Sequence, residues 1–343
     1  MTRIWINRAG PSRVHAMRML RNNPDGHPVI IHATRTNSSN PSQMFCDVPG
    51  WEPGGEASDE EYGQFVVDYV RDHGIRVIIP TARMAALSAR TEDLAALGCT
   101  VMASSYEVSS TADSKTETYA LARDLGIPVP PHHLVYDSVQ FRDAVMQLRS
   151  QGYIACVKPD TGWAASSFRI IEDGATDLRA LLTSARPVVD METYATALVK
   201  ARQQGERIPG LIVMPFLEEP EVSVDVLSTP QGQPLVTVPR AKSGWYREFR
   251  EDRKVINIAH RLVKGFPLGY LSNVQMRYLH GEPVLLEVNP RASAGTFHTE
   301  GAGVNLYWEA VKVALGMEVS VRPQLGGRVF LTEEARMVPA LPR

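Results

Sequence analysis

The stretch SNVQMRYLHGEPVLLEVNPR, residues 272–291, contains two apolar runs that flank a histidine–glycine turn and carry polar side chains at fixed positions. Glu287 and Asn289 stand two positions apart, so a β-strand presents both on one face. The turn favours a hairpin, which brings Gln275 of the first run beside them. Oxygen ligands suit a hard cation such as Mg²⁺, and Arg291 adds a permanent positive charge for an anion. The pattern fits a metal–phosphate site, and it fits a polar strand end with a surface salt bridge equally well.

Two lysines stand where a phosphate can be bound. Lys158 ends the apolar run IACVKP and is followed by a polar loop that includes Ser166. Backbone N–H groups and hydroxyls in such a loop can contact phosphates. Lys115 falls in the first turn of a predicted helix that Ser114 and Glu117 begin as a capping box, and an anion is stabilised at that end of a helix. Either lysine by itself is more often a solvated side chain, so neither alone indicates a phosphate site.

An apolar run leads into an acidic segment at LIVMPFLEEPEVSVD, residues 211–225. The backbone at the end of such a strand can contact the edge of adenine, and a carboxylate there can bind ribose hydroxyls. An ordinary crossover between domains explains the same segment. Further on, Arg240–Lys254 holds six basic and three acidic residues in a chain whose net charge is −2. That segment can form an anion site or a solvated loop.

The composition excludes several classes of protein. The chain has 343 residues, 44% of them apolar and 22% charged, and this length favours two to three domains. The near-neutral net charge argues against a dedicated nucleic-acid binder, and no apolar run approaches the roughly 18–20 residues of a membrane span. The first residues show no apolar signal-peptide core. The three cysteines are far apart, so we expect a cytoplasmic protein without a disulfide framework or a zinc cluster.

The order of the predicted elements indicates an α/β and α+β architecture. In the first third, apolar strands alternate with helices, which predicts a parallel sheet covered on both faces and a Rossmann-like domain. The polar segment Thr36–Ser58 is predicted to be a long loop. No G-x-G-x-x-G motif follows the first strand, so dinucleotide binding is a weak alternative. The middle third mixes strands and helices, including a predicted helix at Asp177–Ser184, and the last third is rich in strands joined by hairpin turns.

Taken in order, these motifs resemble the ATP-grasp superfamily, and they are closest to its carbamoyl-phosphate synthase large-chain and biotin carboxylase-like branch. The resemblance is carried by Lys115, by Lys158 with its loop, and by the motifs MPFLEEPEVSVDVL, PRAK and NVQ…LLEVNPR. It covers nearly the whole chain and implies an ATP-grasp fold behind an N-terminal Rossmann-like pre-ATP-grasp domain. The domains implied are a pre-ATP-grasp domain at 1–110, a lid with its linking helix at 111–212, and a metal- and ATP-binding part at 213–343.

The resemblance also implies ATP and Mg²⁺ as cofactors, with Mn²⁺ as an alternative to Mg²⁺, and it assigns a role to each matching position. ATP is expected to contact Lys115, Lys158, Ser166, Met214, Phe216, Leu217, Glu218, Glu221, Arg240 and Lys242. Among these, Met214 to Leu217 match the adenine hinge, and Glu221 matches the ribose carboxylate with Glu218 as a competitor. The metal is expected on Gln275, Glu287 and Asn289. Arg291, Lys158 and Arg240 are the expected catalytic residues.

The activity implied is that of a carboxylate–amine ligase. A small-molecule carboxylate would attack the γ-phosphate of ATP, and an amine would displace phosphate from the acyl phosphate to give an amide, with release of ADP and phosphate. Arg8 or Arg13 could hold a carboxylate on the acceptor side. No nucleic-acid or membrane partner is implied, and dimers are common among enzymes that look like this one, so a homodimer is one expectation.

Two departures from the family pattern keep other functions open. The phosphate loop has one glycine, Gly162, where the family usually has several, and position 275 is Gln where most members carry an acid, although the carbamoyl-phosphate synthase branch also uses Gln. The alternatives are a non-catalytic or sensor-type ATP-binding protein with a degenerate phosphate loop, an ATP-dependent carboxylate–thiol ligase, and an NAD-linked enzyme that uses the N-terminal sheet.

Overall fold

A computed structural model describes residues 1–37, 41–162, 167–174, 178 and 186–332 of the chain. The helix predicted over 177–184 lies outside the described residues at every position but 178. The described strands form three sheets, which occupy residues 2–101, 133–215 and 218–330. The α/β and α+β fold class expected from the sequence is confirmed. The division of the chain into domains at 110 and 212 stays a prediction.

The first sheet is parallel, with the strand order β3-β2-β1-β4-β5. Its strands are β1 (Thr2–Ile6), β2 (Val29–Arg35), β3 (Val48–Trp51), β4 (Val77–Ile79) and β5 (Thr100–Val101), and its helices are α1 (Arg13–Arg21), α2 (Asp59–His73), α3 (Met84–Ser88), α4 (Thr91–Ala96) and α5 (Tyr106–Thr111). Near-continuous apolar strands form this sheet because helices cover both of its faces. Helix α2 begins with a capping box between Ser58 and Glu61 and ends at Gly74, whose φ of 59° suits glycine.

The prediction of a loop over Thr36–Ser58 is wrong in its middle part. A 3₁₀-helix (Pro41–Phe45) and strand β3 lie within it, and β3 pairs in parallel with β2. Strand β3 has the sequence VPGW and lies at the edge of the sheet. Proline and glycine are tolerated in a short edge strand, which therefore lacks the apolar run that marks a central strand.

The second sheet has the order β6-β10-β7-β8-β9 and is antiparallel except between its last two strands. Its strands are β6 (His133–Val135), β7 (Ala155–Pro159), β8 (Arg169–Ile171), β9 (Val188–Val189) and β10 (Leu211–Pro215), and its helices are α6 (Lys115–Asp124), α7 (Ser138–Ser150) and α8 (Met191–Gln203). Phe141, Leu148, Val157 and Val213 belong to the small core between helix α7 and this sheet. The core fixes β7, and with it the direction in which Lys158 leaves the strand.

The third sheet is antiparallel, with the order β15-β14-β11-β12-β13-β16. Its strands are β11 (Glu218–Ser228), β12 (Pro234–Ser243), β13 (Tyr246–Glu248), β14 (Tyr270–Leu279), β15 (Glu282–Asn289) and β16 (Arg328–Phe330). It is accompanied by helices α9 (Arg253–Gly265) and α10 (Leu306–Ala314) and by a 3₁₀-helix (Thr296–Ala302). The segment Arg240–Lys254, for which an anion site and a solvated loop were both open, is built from the end of β12, from β13 and from the first turn of α9.

One hydrophobic core joins the first sheet to the third. Ile4 and Leu20 of the first unit share it with Leu227, Trp308 and Val311 of the third. Burying these side chains together holds the loops that follow β1 and β4 against the end of β15. Among the described helices, none is both long and apolar enough to span a bilayer.

Candidate active site

A cavity of about 730 Å³ opens where the three sheets meet. Its walls include the loops after β1 and β4, the first turn of α6, the middle of β14 and the end of β15. Five of the residues predicted to contact ATP or the metal or to be catalytic line it: Lys115, Gln275, Glu287, Asn289 and Arg291. Arg8 and Arg13, the two candidates for holding a carboxylate, line it as well. The fold therefore brings together a predicted phosphate contact, the three predicted metal ligands and a predicted catalytic arginine from positions up to 176 residues apart in the chain.

The three predicted metal ligands lie on one face of the β14–β15 hairpin. Gln275 pairs directly with Glu287, and Asn273 pairs with Asn289 one step further along. Directly opposed side chains on antiparallel strands are neighbours on the same face. The amide nitrogen of Gln275 donates to Asn273 Oδ1 (2.9 Å), which leaves the Gln275 amide oxygen for another partner. A carboxylate and two amide oxygens are a donor set that fits a hard cation such as Mg²⁺.

A β-bulge next to these residues supplies an acceptor that the sequence did not reveal. The register shifts between Gln275 and Met276, so Leu286 has no partner on β14. Its carbonyl oxygen accepts hydrogen bonds from Lys158 Nζ (3.2 Å) and from the Tyr119 hydroxyl (2.7 Å). The bulge thereby ties β7 and α6 to the strand that carries Glu287.

Lys158 is only 4% exposed, and Leu286 is its one hydrogen-bond partner in the described part of the chain. Burial lowers the pKa of its ammonium group to about 8, and the nearby Glu287 carboxylate partly opposes that shift. Such a lysine is a poorly compensated charge, and the phosphates of a nucleotide would complete its environment. This placement is compatible with the predicted phosphate contact, although Lys158 does not line the cavity wall described above.

Lys115 reaches the cavity from the first turn of α6. Its Nζ donates to the carbonyl oxygens of Asp160 (3.0 Å) and Gly162 (3.3 Å), and burial lowers the pKa of its ammonium group. Ser114 accepts a hydrogen bond from the backbone N–H of Glu117, which confirms the predicted N-cap. The other half of the predicted capping box does not form, because the backbone N–H of Ser114 donates to the Thr111 carbonyl (3.1 Å) instead of the Glu117 side chain. Lys115 is thus held against the start of the loop that follows β7.

Asp160 is a site-forming residue that sequence reasoning missed. Its carboxylate accepts from the backbone N–H of Thr116 (2.8 Å), from the Thr116 hydroxyl (2.5 Å) and from the Ser114 hydroxyl (2.9 Å). One side chain therefore caps α6 and fixes the first residues of the phosphate loop to that helix. The signal available in the sequence was an aspartate two positions after Lys158, which looks like any loop aspartate. Ser166, the predicted contact further along this loop, lies outside the described residues.

Arg240 does not line the cavity. It is 4% exposed, and its Nε lies 2.5 Å from Asp225 Oδ2, while its Nη2 donates to the Ser293 hydroxyl (3.2 Å). Lys242 is exposed on the outer part of β12. The two basic residues that the sequence paired near the phosphates therefore point to different surroundings.

Asp225 is the centre of a buried network that the sequence analysis did not predict. It is 1% exposed, and besides Arg240 it accepts from Asn273 Nδ2 (3.0 Å) and from the Thr296 hydroxyl (2.8 Å). Asn273 in turn accepts from the amide of Gln275. A continuous chain of hydrogen bonds therefore runs from the Arg240–Asp225 ion pair to the first predicted metal ligand.

The predicted adenine hinge follows β10. The side chains of Met214 and Leu217 are buried, and Phe216 is half-buried, so the backbone is what this segment offers to a ligand. Arg277, which the sequence did not single out, donates to the Leu217 carbonyl (3.1 Å), and its guanidinium lies 5.6 Å from the centre of the Phe216 ring. The hinge is thereby braced by β14.

The two carboxylates considered for ribose have different surroundings. Glu218 accepts hydrogen bonds from the backbone N–H groups of His280 (2.9 Å) and Gly281 (3.3 Å), so it is used in the hairpin turn. Among the residues that the structure describes, Glu221 makes one long ion pair, with Arg277 Nε at 3.8 Å. Glu221 is therefore the better placed of the two to bind a hydroxyl.

The described residues contain no cluster of three or more His, Cys, Asp and Glu side chains that could hold a metal. That leaves the mixed amide–carboxylate set on β14 and β15 as the candidate metal site. All three cysteines, Cys46, Cys99 and Cys156, are free thiols, and burial raises their pKa values to about 11 or 12. A thiolate nucleophile is therefore not favoured in this part of the chain.

Comparison with known proteins identifies a matching family model and related sequences for part of the chain. Residues 207–335 match the family model described as "ATP-grasp in the biosynthetic pathway with Ter operon". The carbamoyl phosphate synthase large chain of Rubrobacter xylanophilus is 28% identical over 248 residues, which are 68% of this chain. The match spans 22% of that relative's length, so the chain corresponds to about a fifth of it.

Solved structures show the fold. The ADP complex of PurK, an N5-carboxyaminoimidazole ribonucleotide synthetase, superposes with a TM-score of 0.66 at 16% identity and covers 93% of this chain and 78% of that one. Biotin carboxylase from Campylobacter jejuni has a TM-score of 0.66 at 14% sequence identity, and the match covers 95% of this chain and 74% of that one. An L-amino acid ligase from Bacillus licheniformis has a TM-score of 0.61 at 14% sequence identity, and the match covers 92% of this chain and 74% of that one. This chain has the ATP-grasp fold and carries an ATP-grasp domain whose homologues and structural neighbours include carbamoyl-phosphate synthase large chains and biotin carboxylase.

Proposed function

We propose that this chain is an ATP-dependent ligase that activates a small-molecule carboxylate as an acyl phosphate and joins it to an amine. The observation that carries the proposal is the direct pairing of Gln275 with Glu287 in a cavity that Lys115 and Arg291 also line. Candidate cation ligands, a candidate phosphate contact and a candidate anion contact thus surround one space, which supports the proposal. The ligase names of the fold neighbours support the reaction class.

In this proposal, each of the described side chains has a role in binding or catalysis. Lys115 and Lys158 bind the phosphates of ATP, and the backbone of Met214 to Leu217 binds adenine with Glu221 on the ribose. When bound, Mg²⁺ neutralises phosphate charge between Gln275, Glu287 and Asn289. Arg291 then stabilises the negative charge that spreads over the transferring phosphoryl group.

Atoms balance without a covalent enzyme intermediate. A carboxylate oxygen attacks the γ-phosphorus, the bond to the ADP oxygen breaks, and an acyl phosphate forms. The amine nitrogen then attacks the acyl carbon, phosphate leaves, and the amine loses a proton. Closure of the cavity over the acyl phosphate would keep water from hydrolysing it.

Arg240 needs a different role from the one the sequence implied. Its charge is compensated by Asp225 in the buried network, so we infer that it supports the site rather than binding the transferring phosphoryl group. Lys242 is too exposed for a contact that must work in a desolvated site, and we assign it none.

The experiment that tests the function is a screen of carboxylate and amine pairs with ATP and Mg²⁺, with ADP release as the readout and mass spectrometry of the products. The proposal expects ADP release that needs both substrates and a product that carries a new amide bond. A non-catalytic, sensor-type ATP-binding protein is the second candidate, because the metal set holds only one carboxylate, Glu287. ATP binding without ADP release from any pair would favour it, and a thioester product would favour a carboxylate–thiol ligase.

Two further expectations belong to this proposal. Three free cysteines fit work in a reducing compartment, so we infer that the protein is cytoplasmic. A homodimer stays a prediction, which the molar mass in solution tests directly.

A further inference from the structure

Arg13, the first residue of α1, crosses from the first unit of the fold to the third. Its Nη1 donates to the Tyr307 hydroxyl (2.9 Å) and the Ser293 carbonyl (3.3 Å), and its Nη2 donates to the Ala292 carbonyl (3.1 Å). The residue is only 5% exposed and lines the cavity. Three of its five N–H donors are used in these bonds, so two remain.

The charge of Arg13 is not compensated by an acidic residue within the described part of the chain. Its three partners are neutral oxygens. The other two arginines that the first unit contributes to the cavity are paired: Arg8 Nε lies 2.5 Å from Glu52, and Arg83 lies 3.0 Å from Asp59. A buried guanidinium without a counter-charge is costly, and an anionic ligand would remove that cost.

A second guanidinium lies close enough to Arg13 to feel its charge. Arg291 lines the same cavity as Arg13, and Arg13 donates to the carbonyls of Ala292 and Ser293, the residues that follow Arg291 in the chain. The turn before α1, Gly10 to Ser12, lines the same part of the cavity, and the amino-terminal end of a helix favours an anion. Two acidic groups of the lining, Glu287 and Asp113, attract Arg291, and Asp113 is attracted by Lys115 as well.

We propose that Arg13, with Arg291 beside it, binds an anionic group of the acceptor substrate, which is the amine that attacks the acyl phosphate. That anionic group is a carboxylate or a phosphate. The inference rests on the proposed ligase function, and it deepens that function by naming the substrate class and the residue of the first unit that recognises it. Neutral analogues such as amides and esters of the same substrate would leave Arg13 uncompensated and would bind poorly.

Malonate and inorganic phosphate are suitable probes, because neither needs turnover. Isothermal titration of each is carried out with ADP and Mg²⁺ present, so that the nucleotide's own phosphate contacts are occupied. The wild type should bind at least one probe, and Arg13→Gln should weaken that binding about 10- to 100-fold, as expected for charged hydrogen bonds. A preference for malonate identifies a carboxylate subsite, and a preference for phosphate identifies a phosphate subsite.

Arg18→Gln is the matched control, because Arg18 lies on the same helix but is exposed and paired with Glu300. It should bind the probes like the wild type. If Arg13→Gln does not fold, Arg13→Lys replaces it: this variant keeps the charge but loses the paired donors, and its affinity should fall about fivefold or more. Affinity equal to that of the wild type in the folded Arg13 variant, or no binding of either probe to the wild type, would overturn the proposal.

Failure of the ligase function would look different. In that case no pair of substrates would release ADP, whatever the anion titrations show. Where a pair does release ADP, Arg13→Gln should raise the KM of the anionic substrate and leave the KM of ATP unchanged. An equal rise in both values would assign Arg13 a merely structural role.

Discussion

Arg240 Nε lies 2.5 Å from Asp225 Oδ2, and both side chains are almost fully buried in the third sheet. Asp225 also accepts a hydrogen bond from the Asn273 side-chain amide, and Asn273 accepts one from the side-chain amide of Gln275. These hydrogen bonds connect the ion pair to the predicted metal site. The ion pair therefore supports the site, and removing it should lower both the free energy of unfolding and the affinity for the metal.

Asp225→Ala should lower the free energy of unfolding by about 3–5 kcal/mol, because it leaves Arg240 charged and buried without its partner. Removing both charges in Asp225→Leu with Arg240→Met should cost clearly less than the sum of the two single changes. Urea denaturation of the wild type, Asp225→Ala, the single variants Asp225→Leu and Arg240→Met, and their double variant measures both effects. Additive losses would show that the two side chains do not act as a pair.

Gln275→Glu should strengthen Mg²⁺ binding, because it adds a second carboxylate directly opposite Glu287. The concentration of Mg²⁺ that half-saturates ADP release should fall by about tenfold, the effect of roughly 1.4 kcal/mol. The matched control is Glu282→Gln at the far end of β15, where the carboxylate is exposed and pairs with Lys254. An unchanged Mg²⁺ requirement in Gln275→Glu would remove position 275 from the metal site.

Lys158→Met should stabilise the empty protein at pH 7 while it weakens ATP binding. The pKa of Lys158 falls from its ordinary 10.5 to about 8 on folding, so the unfolded chain binds the proton more tightly. The cost is fully present below pH 8 and fades as the pH rises toward 10.5, and its size is about 3 kcal/mol. Urea unfolding of the wild type and Lys158→Met at pH 7 and pH 9.5 tests this. The difference between their free energies of unfolding should be smaller at the higher pH. If that difference in the free energy of unfolding does not depend on pH, Lys158 is not a buried, charged group.

Asp160→Ala should lower the free energy of unfolding by about 1–2 kcal/mol through loss of the α6 cap, and it should also weaken ATP binding. Asp137→Ala is the control, since Asp137 caps α7 with bonds to the backbone N–H groups of Val139 and Gln140 away from the cavity. It should cost similar stability and leave ATP affinity unchanged. Equal ATP affinities in the two variants would mean that Asp160 only caps its helix.

The sequence predicted the parts of the molecule that local patterns determine. Alternation along the 272–291 stretch placed Glu287 and Asn289 on one face, and the histidine–glycine turn brought Gln275 opposite Glu287. The apolar strands and capped helices of the first third predicted its parallel sheet. Strand β3 was missed because an edge strand needs no apolar run, and the sequence VPGW has none.

The missed site residues depend on contacts that no local pattern records. Asp225 on β11 contacts Arg240 on the neighbouring strand β12 and Asn273 on the other neighbour, β14. Asp160 caps a helix that lies more than 40 residues earlier in the chain. The β-bulge that frees the Leu286 carbonyl arises from the mismatch between β14 and β15, which only the pairing reveals. The family resemblance implied a phosphate contact for Arg240, and its buried partner Asp225 is not visible in the sequence.

The central claim is that Glu287, paired with Gln275, organises Mg²⁺ and ATP for phosphoryl transfer. ADP release from the substrate pair that the screen identifies should be compared between the wild type, Glu287→Gln and Glu282→Gln, with circular dichroism to verify folding. We predict that folded Glu287→Gln loses Mg²⁺-dependent ADP release by about 100-fold or more, while Glu282→Gln matches the wild type. Near-normal ADP release from Glu287→Gln would contradict the account.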